Sequence, residues 1–289
     1  MPQYDIIIIG HITSDTLEYN GEVTRFTGGA AYFSSFAAKR SNAKICVVTK
    51  LAQKDFGVLD QLREEGIKVI AISSSRTTSI ENVFETDDFD KRKARLISQA
   101  DPFNPEDIPE VETKIYYLAG LFSGEIPHAL IESLSKKGEV GLDMQAMLRS
   151  SKEANIGFKD WAEKRHYLPM VTYLKADSLE SEVATGTSDR EKAARMLYEW
   201  GAKEVMITHA SEVILYNGER VFRAPFNPKN LSGRTGRGDT CFVSYMSWRL
   251  NHGIEESVRY AAVLTSIKME KPGPFLGTID DVLARMKTP

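Results

Sequence analysis

The sequence predicts a layered α/β protein: a mostly parallel central sheet between helices, with a small β-sheet lid beside it. Three observations carry that expectation. Short apolar runs suited to buried strands recur along the chain, helical stretches alternate with them, and two β-rich segments interrupt the alternation.

Residues 5–9 open the series, with Ile6, Ile7, Ile8 and Ile9 in an unbroken aliphatic run behind Asp5. A run without polar alternation suits a strand buried on both faces, as in parallel sheets. The same reading applies to 44–49, 69–72, 115–118, 140–142, 171–174 and 204–207. Helices are expected over 29–40, 58–65, 127–137 and 190–200, where they would cover both sheet faces. The first interruption is 213–222, where Asn217-Gly218 between β-rich arms reads as a tight hairpin turn. The second is 76–97, in which 80–84 and 94–97 flank the polar stretch 85–93. With 17–25 it would form a small antiparallel flap, a natural lid over a ligand. No internal repeat, low-complexity tract or long linker is visible. One domain over 1–289, with a lid from segments near 15–27 and 73–99, is therefore favoured over two independent domains.

A chain of 289 residues can bury a full hydrophobic core without staples. Its two cysteines, Cys46 and Cys241, lie far apart, and no Cys/His spacing suits structural zinc, so the chain reads as reduced and intracellular. With 42% hydrophobic and 27% charged residues, the composition is that of an ordinary globule rather than a disordered tail. The longest aliphatic run, 6–9, is far short of the roughly 20 residues of a spanning helix, and no basic leader precedes it. A cytoplasmic protein without a membrane partner is expected. The net charge of -3, with Lys and Arg scattered, leaves no footprint for nucleic acid and directs attention to small ligands.

The strongest local signal is Ser232-Gly233-Arg234-Thr235-Gly236-Arg237-Gly238-Asp239-Thr240, which runs into a helix with Phe242, Tyr245, Met246 and Leu250 at helical spacing. Glycines 236 and 238 permit a tight turn, and the helix start behind them offers unpaired N–H groups to an anion. Asp239 stands at the same helix start, where it is a candidate base beside a bound phosphate. The same residues also fit an ordinary N-capped turn. A second signal, Lys175-Ala176-Asp177-Ser178-Leu179-Glu180, follows the strand expected to end at Leu174. Its carboxylates could hold hydrated magnesium at a sheet edge, or form a capping box at a helix start. In Thr27-Gly28-Gly29-Ala30, two glycines either admit a polyol close to the backbone or simply open a helix. His209 reads as a loop residue before it reads as a catalyst. Arg237-Gly238-Asp239 spells a cell-adhesion tripeptide, which carries no weight without an export signal. Gly10-His11-Ile12-Thr13-Ser14-Asp15 lacks dinucleotide glycine spacing, and no P-loop occurs.

Taken in order, Gly28-Gly29-Ala30, Asp177-x-x-Glu180, Thr208-His209 and Gly236-Arg237-Gly238-Asp239-Thr240 resemble the motifs of ribokinase-like (PfkB) carbohydrate kinases, over nearly the whole chain. Within that family, Arg76-Thr77-Thr78-Ser79-Ile80-Glu81-Asn82, Asp143-Met144-Gln145 and the 233–240 stretch look most like myo-inositol kinases. The resemblance implies a three-layer αβα sandwich with a β-lid. It also implies ATP-dependent, magnesium-assisted transfer of a phosphoryl group to a hydroxyl of a sugar, polyol or nucleoside. Asp239 then resembles the catalytic base, and the amides of Gly236, Arg237 and Gly238 the anion hole. Glu180 would organise magnesium through water. Lys175, Asp177, Thr208 and His209 fall on the nucleotide side, and Asp15, Gly28, Gly29 and Gln145 would line the acceptor pocket. Many relatives pair through the lid, so a homodimer formed there is one arrangement that the resemblance allows.

Four departures stand out against that family. Phe33 replaces an Asn that hydrogen-bonds a sugar hydroxyl in many members, which disfavours ribose and adenosine. Asp177 replaces the common Asn before Glu180. Gly233 stands where members using a monovalent cation often carry Asp, which leaves potassium activation open. Arg237 replaces the usual small residue of the anion loop, and its guanidinium would either touch phosphate or acceptor or face solvent. The leading expectation is a kinase for a cyclic polyol, with myo-inositol ahead of ribose, fructose, a hexose phosphate or a nucleoside. A catalytically silent sugar or nucleotide sensor is the reading from the binding class, and an oxidoreductase the third. Adenine contacts, expected near 261–274, stay unassigned.

Overall fold

The computed structural model describes residues 3–19, 21–84 and 92–287. The isoleucine run forms β1 (Tyr4–Ile9), and the strand alternates between two cores: Ile6 and Ile8 enter one, Ile7 and Ile9 the other. That alternation follows from the two-residue period of a strand, and it requires cover on both faces of the sheet. A hairpin, β2 (Thr13–Tyr19) and β3 (Glu22–Gly28), leads into α1 (Ala30–Arg40). Next come β4 (Ile45–Leu51), α2 (Asp60–Glu64), β5 (Lys68–Ser73), β6 (Ser79–Phe84) and β7 (Arg92–Ser98). The middle of the chain forms β8 (Thr113–Leu118), α3 (His128–Ser135), β9 (Glu139–Asp143), α4 (Gln145–Leu148), β10 (Arg149–Lys152), β11 (Asn155–Phe158) and α5 (Lys164–Tyr167). It continues with β12 (Tyr173–Asp177), α6 (Ser178–Thr185), α7 (Arg190–Glu199), β13 (Glu204–Thr208), β14 (Glu212–Tyr216) and β15 (Val221–Pro225). Helices α8 (Arg237–Arg249), α9 (Ile254–Met269) and α10 (Ile279–Met286) follow.

Among the described residues, the larger sheet runs β15-β14-β13-β12-β9-β8-β1-β4-β5. The strands from β13 through β5 are parallel, and β14 and β15 extend that edge antiparallel. Side chains of α1, α8, α9 and α10 share one core with the sheet, while those of α3, α6 and α7 share the other. This is the expected helix–sheet–helix layering. The expected hairpin is also present: Asn217 Oδ1 accepts from the amides of Glu219 and Arg220, and Gly218 has φ +94°.

The lid differs from expectation in two ways. It is a mixed sheet, β10-β11-β7-β6-β2-β3, because β2 and β6 run parallel while the other pairs are antiparallel. It also gains the β10–β11 hairpin, from a segment too polar to show a period-two pattern. That hairpin turns through Glu153 (φ +52°) and Ala154 (φ +68°), and it joins the lid where Leu96 N–H donates to Ala154 O at 2.9 Å. Of the polar stretch expected at 85–93, residues 85–91 lie outside the described residues.

Two further boundaries move. The helix expected over 58–65 shrinks to α2, since a 3₁₀ stretch, Gln53–Leu59, occupies its approach. The strand expected over 171–174 is β12, which pairs with β9 and β13 as far as Asp143 and Thr208. Lys175 is therefore a strand residue, held in register opposite Asp143, rather than the first residue of a loop.

Gly10, immediately after β1, sits so close to β8 that a Cβ there would lie 2.2 Å from Ala119 O. Gly10→Ala should cost about 2 kcal/mol or more, because the atom it meets is backbone and cannot swing away. The melting temperature should fall by about 5 °C in a thermal scan, whereas Gly253→Ala, which meets nothing within 4 Å, should leave it unchanged.

Candidate active site

The C-terminal ends of β9, β12 and β13 bring a buried charge cluster together. Lys175 Nζ lies 3.1 Å from both carboxylate oxygens of Asp143 and 3.4 Å from Glu180 Oε2. All three side chains are buried. Asp177 and Glu180 form a reciprocal capping box at the start of α6: Asp177 Oδ1 accepts from the Glu180 amide, and Glu180 Oε2 from the Asp177 amide. The capping reading thus holds, and the same cap fixes Glu180 where it meets Lys175.

Burial pushes the carboxyl of Asp143 up to about 6 and that of Glu180 up to about 7, against the pull of Lys175. Burial also works against the Lys175 ammonium. The carboxylates of Asp143, Glu180, Asp177 and Asp239 outweigh it and hold this lysine well above its ordinary range.

The start of α8 closes over this cluster. Gly236 is its N-cap in the left-handed region (φ +79°), and a Cβ there would enter the Phe33 ring. A Cβ on Gly238 would lie 3.2 Å from Lys175 Nζ and 3.8 Å from Thr208 Oγ1. Gly238, Lys175 and Thr208 therefore converge at one point. The Arg237 amide donates to Arg234 O at 3.2 Å within the loop, so it is turned away from the expected trio of anion-binding amides. Among the described residues, the amides of Gly236 and Gly238 have no intramolecular partner. Together with the positive end of the α8 dipole, they form a candidate anion site at the position to which the glycine spacing pointed.

Asp239 lies half-buried in the first turn of α8. Burial raises its carboxyl, while Lys175, Lys268 and Arg149 pull the other way and Glu180 adds to the rise. Ser34 on α1 donates its hydroxyl to Asp239 O at 3.3 Å and ties the helix start to the neighbouring helix.

The residues expected on the acceptor side gather where the lid meets the sheet, with Gln145 at the start of α4. Thr13 and Gly28 are paired across β2 and β3, and a Cβ on Gly28 would fall 2.6 Å from Asp15 Oδ2. Gly29 has φ +99° and no room for a side chain against His11 O. Asp15 Oδ1 accepts from the Ile80 amide at 2.8 Å and so also links β2 to β6. Gln145 opens α4, and its amide donates to Asp143 Oδ1 at 3.1 Å. His209 occupies the β13–β14 turn, where its ring nitrogen meets Ser211 Oγ at 3.0 Å and its amide donates to Glu212 O. No contact ties its ring to Lys175 or Gly238 among the described residues.

Sequence reasoning missed three contributors to this cluster. Asp143, at the end of β9, was legible as the polar residue closing an apolar run. Arg149 and Lys268 carried no local signal, because one lies in an unrecognised lid strand and the other in a helix without a motif. Phe33 is 3% exposed and packs against Gly236, so it supports the anion loop.

The residues suit a hydrated magnesium ion arriving with phosphates. Among the described residues, no three His, Cys, Asp or Glu side chains converge as a direct ligand set. Glu180 Oε2 is already engaged, which leaves Oε1 to hold the ion through water, the mode that magnesium's tightly held water shell favours.

The comparisons with known proteins bear on the family and the fold. A family model described as pfkB family carbohydrate kinase matches residues 3–279. The cytidine kinase of Thermococcus kodakarensis is 28% identical over 273 residues, covering 88% of this chain and 92% of that protein. A sulfate complex of a pyrophosphate-dependent kinase in the ribokinase family is 34% identical, covers 96% of this chain and 99% of that one, and superposes with a TM-score of 0.90. A pyrophosphate-dependent kinase of that family, complexed with a pyrophosphate analogue and myo-inositol, is 33% identical, with coverage of 97% and 99% and a TM-score of 0.89. The fold is the ribokinase-like α/β fold.

Lys175→Met would strand two buried carboxyls. It should cost about 3 kcal/mol or more near neutral pH. Protonation relieves the stranded charges, and the carboxyls of Asp143 and Glu180 are raised, so the loss should shrink as pH falls from about 7 towards 5. Denaturant titrations at the two pH values check both the loss and its direction.

Proposed function

The chain belongs to the PfkB family of carbohydrate kinases, and from that premise we propose that it phosphorylates a hydroxyl of a cyclic polyol, with myo-inositol as the acceptor. The single observation that carries the reading is the meeting of Asp239 with the unpartnered amides of Gly236 and Gly238 beside Lys175. An acceptor hydroxyl against Asp239 would pass its proton to the carboxylate as its oxygen bonds to phosphorus and the donor's bridging P–O bond breaks. A carboxyl raised by burial is a stronger base than a solvated one. Charge on the transferring group would be received by the two amides, the α8 dipole and Lys175, which are fixed before the reaction begins.

Thr208 and Asp177 stand beside the donor phosphates in this reading, with His209 in the adjoining turn. Magnesium, held through water by Glu180, would supply positive charge to the phosphate oxygens. Asp15 and Gln145 would hydrogen-bond acceptor hydroxyls, while Gly28 and Gly29 let the ring approach the backbone. The solved relative complexed with myo-inositol supports the acceptor, and the cytidine kinase relative keeps a nucleoside as the alternative. The reading takes the chain as one cytoplasmic kinase domain with its lid. Val23 and Ile97, exposed on lid strands, support pairing of two copies there.

ATP is the donor of the leading reading, and pyrophosphate is a second one favoured by specific observations. Two solved relatives are pyrophosphate-dependent. Arg237 opens α8 at this loop, and turned towards a bound phosphate its guanidinium would add a cation to those of Lys175 and Lys268 nearby. A donor without a nucleoside must draw its binding from phosphate contacts alone, and additional cations serve that need.

The test is release of the donor's leaving group, with magnesium and either ATP or pyrophosphate, across myo-inositol, ribose, fructose, fructose 6-phosphate, adenosine and cytidine. Myo-inositol should give the highest kcat/KM, and Asp239→Asn should lower turnover by about 10³-fold. Preference for another acceptor would overturn the inositol assignment and keep the kinase. Acceptor binding without turnover on either donor would replace the enzyme by a sensor.

A further inference from the structure

Lys268 lies in the last turn of α9, yet its side chain reaches back to the loop that opens α8. Its Nζ donates to Gly233 O at 2.6 Å and to Thr235 O, and it stands 5.0 Å over the Phe33 ring. The residue is 2% exposed. The surrounding backbone is clamped as well. The Gly233 amide donates to Met269 O at 2.8 Å, and the Ser232 hydroxyl to Glu270 O at 2.8 Å. A Cβ on Gly233 would fall 1.8 Å from Lys271 O, so the loop lies directly on the end of α9.

A buried ammonium is costly, and a neutral side chain would fill the same space without that cost. Two carbonyls and an aromatic face compensate this one; among the described residues no carboxylate bonds it directly, and the Asp239 carboxylate lies near enough to favour its charge. Burial lowers its pKa to about 8, so it carries its proton at neutral pH. The use of the charge follows from peptide geometry. In a trans peptide, C=O and the following N–H point in opposite directions. Drawing Thr235 O inward towards Lys268 therefore aims the Gly236 amide outward, away from α9. Phe33 contributes to the same constraint: its ring lies 5.0 Å from the ammonium and fills the space that a side chain on Gly236 would need.

We propose that Lys268 is a tethered monovalent cation: a positioning residue whose ammonium orients the anion-binding loop, so that phosphoryl transfer needs no dissolved alkali cation. The inference rests on the phosphotransferase reading for its consequence but not for its geometry. Wild-type turnover should be unchanged when potassium and sodium are replaced by tetramethylammonium, which is too large to enter the loop. Lys268→Ala should lower kcat by about 10²-fold with the acceptor KM within about twofold, as for a mis-set anion site. Ammonium or potassium should then restore at least about tenfold by filling the vacated space. Lys268→Met, which fills that space without charge, should lose the same activity, refuse rescue, and melt no lower than wild type.

A wild-type requirement for potassium would overturn the proposal, as would Lys268→Met within twofold of wild type, or a loss in Lys268→Ala that no small cation relieves. If wild type turns over no acceptor, the phosphotransferase reading fails separately, and calorimetric binding of pyrophosphate still decides this one. Binding about tenfold weaker in Lys268→Ala and restored by ammonium supports the orienting role, whereas unchanged binding overturns it.

Discussion

The site depends on one buried ammonium placed among carboxylates. Lys175 joins β9, β12 and α6 through Asp143 and Glu180, and its side chain lies against Gly238 at the start of α8. At an effective dielectric of about 20, each contact at this range contributes about 4 kcal/mol of attraction, enough to hold the lysine charged despite burial. The carboxyls do not balance one against one. Asp143, Glu180 and Asp239 are raised first by burial and then by one another, and these three carboxyls outnumber Lys175. Such an excess is costly in a closed core and useful at a sheet edge, where a cation arriving with phosphates offsets it.

Around that centre, the chain spends glycine where backbone must approach backbone or ring. Gly236 needs both a positive φ and an absent Cβ, because Phe33 fills the space beneath it. Phe33 lies in turn under Lys268, and α9 grips the loop at Gly233 and Ser232. The shape of the candidate anion loop is thus less a property of the glycine motif than of two helices and a ring that hold the motif in one conformation. A flexible loop with the same glycines would present its amides in many directions and lose most of the advantage of fixed dipoles.

This explains which parts of the protein were legible in the sequence. Strands such as β1 announce themselves because burial on both faces leaves an unbroken apolar run, and Gly236-Arg237-Gly238-Asp239 because tight turns and helix starts demand particular residues. The capping pair Asp177 and Glu180 was legible as local chemistry, although its contact with Lys175 was not. That contact depends on β12 continuing past Leu174, and the continuation is set by pairing with β9 and β13 rather than by the polar residues of the strand itself. Lys268 was invisible for the same reason. Nothing in a helix sequence marks a lysine that turns inward to carbonyls contributed from a loop over thirty residues earlier. The β10–β11 hairpin escaped because edge strands of a lid are polar and short, and its turn uses Glu153 and Ala154 where glycine would have been the signal.

The lid and the candidate acceptor side also share their supports. Asp15 holds β6 through the Ile80 amide while its other oxygen lies against Gly28. Nearby, the Thr78 hydroxyl meets His11 Nδ1 and receives the Ala100 amide, and His11 Nε2 lies 3.0 Å from Asp101 O. Glu125 closes this buried network by accepting from the amides of His11, Leu121 and Phe122. The lid is therefore anchored by buried polar contacts, whose loss leaves unsatisfied groups, as well as by the apolar packing of Ile80, Leu96 and Ile156 against the core. The exposed lid strands are free to vary around such an anchor, but the residues from His11 to Asp15 must satisfy the sheet and the lid at once. With the acceptor role proposed for Asp15 they would carry a third demand, which would make the segment after β1 the place where a change in acceptor specificity is hardest to separate from a change in fold.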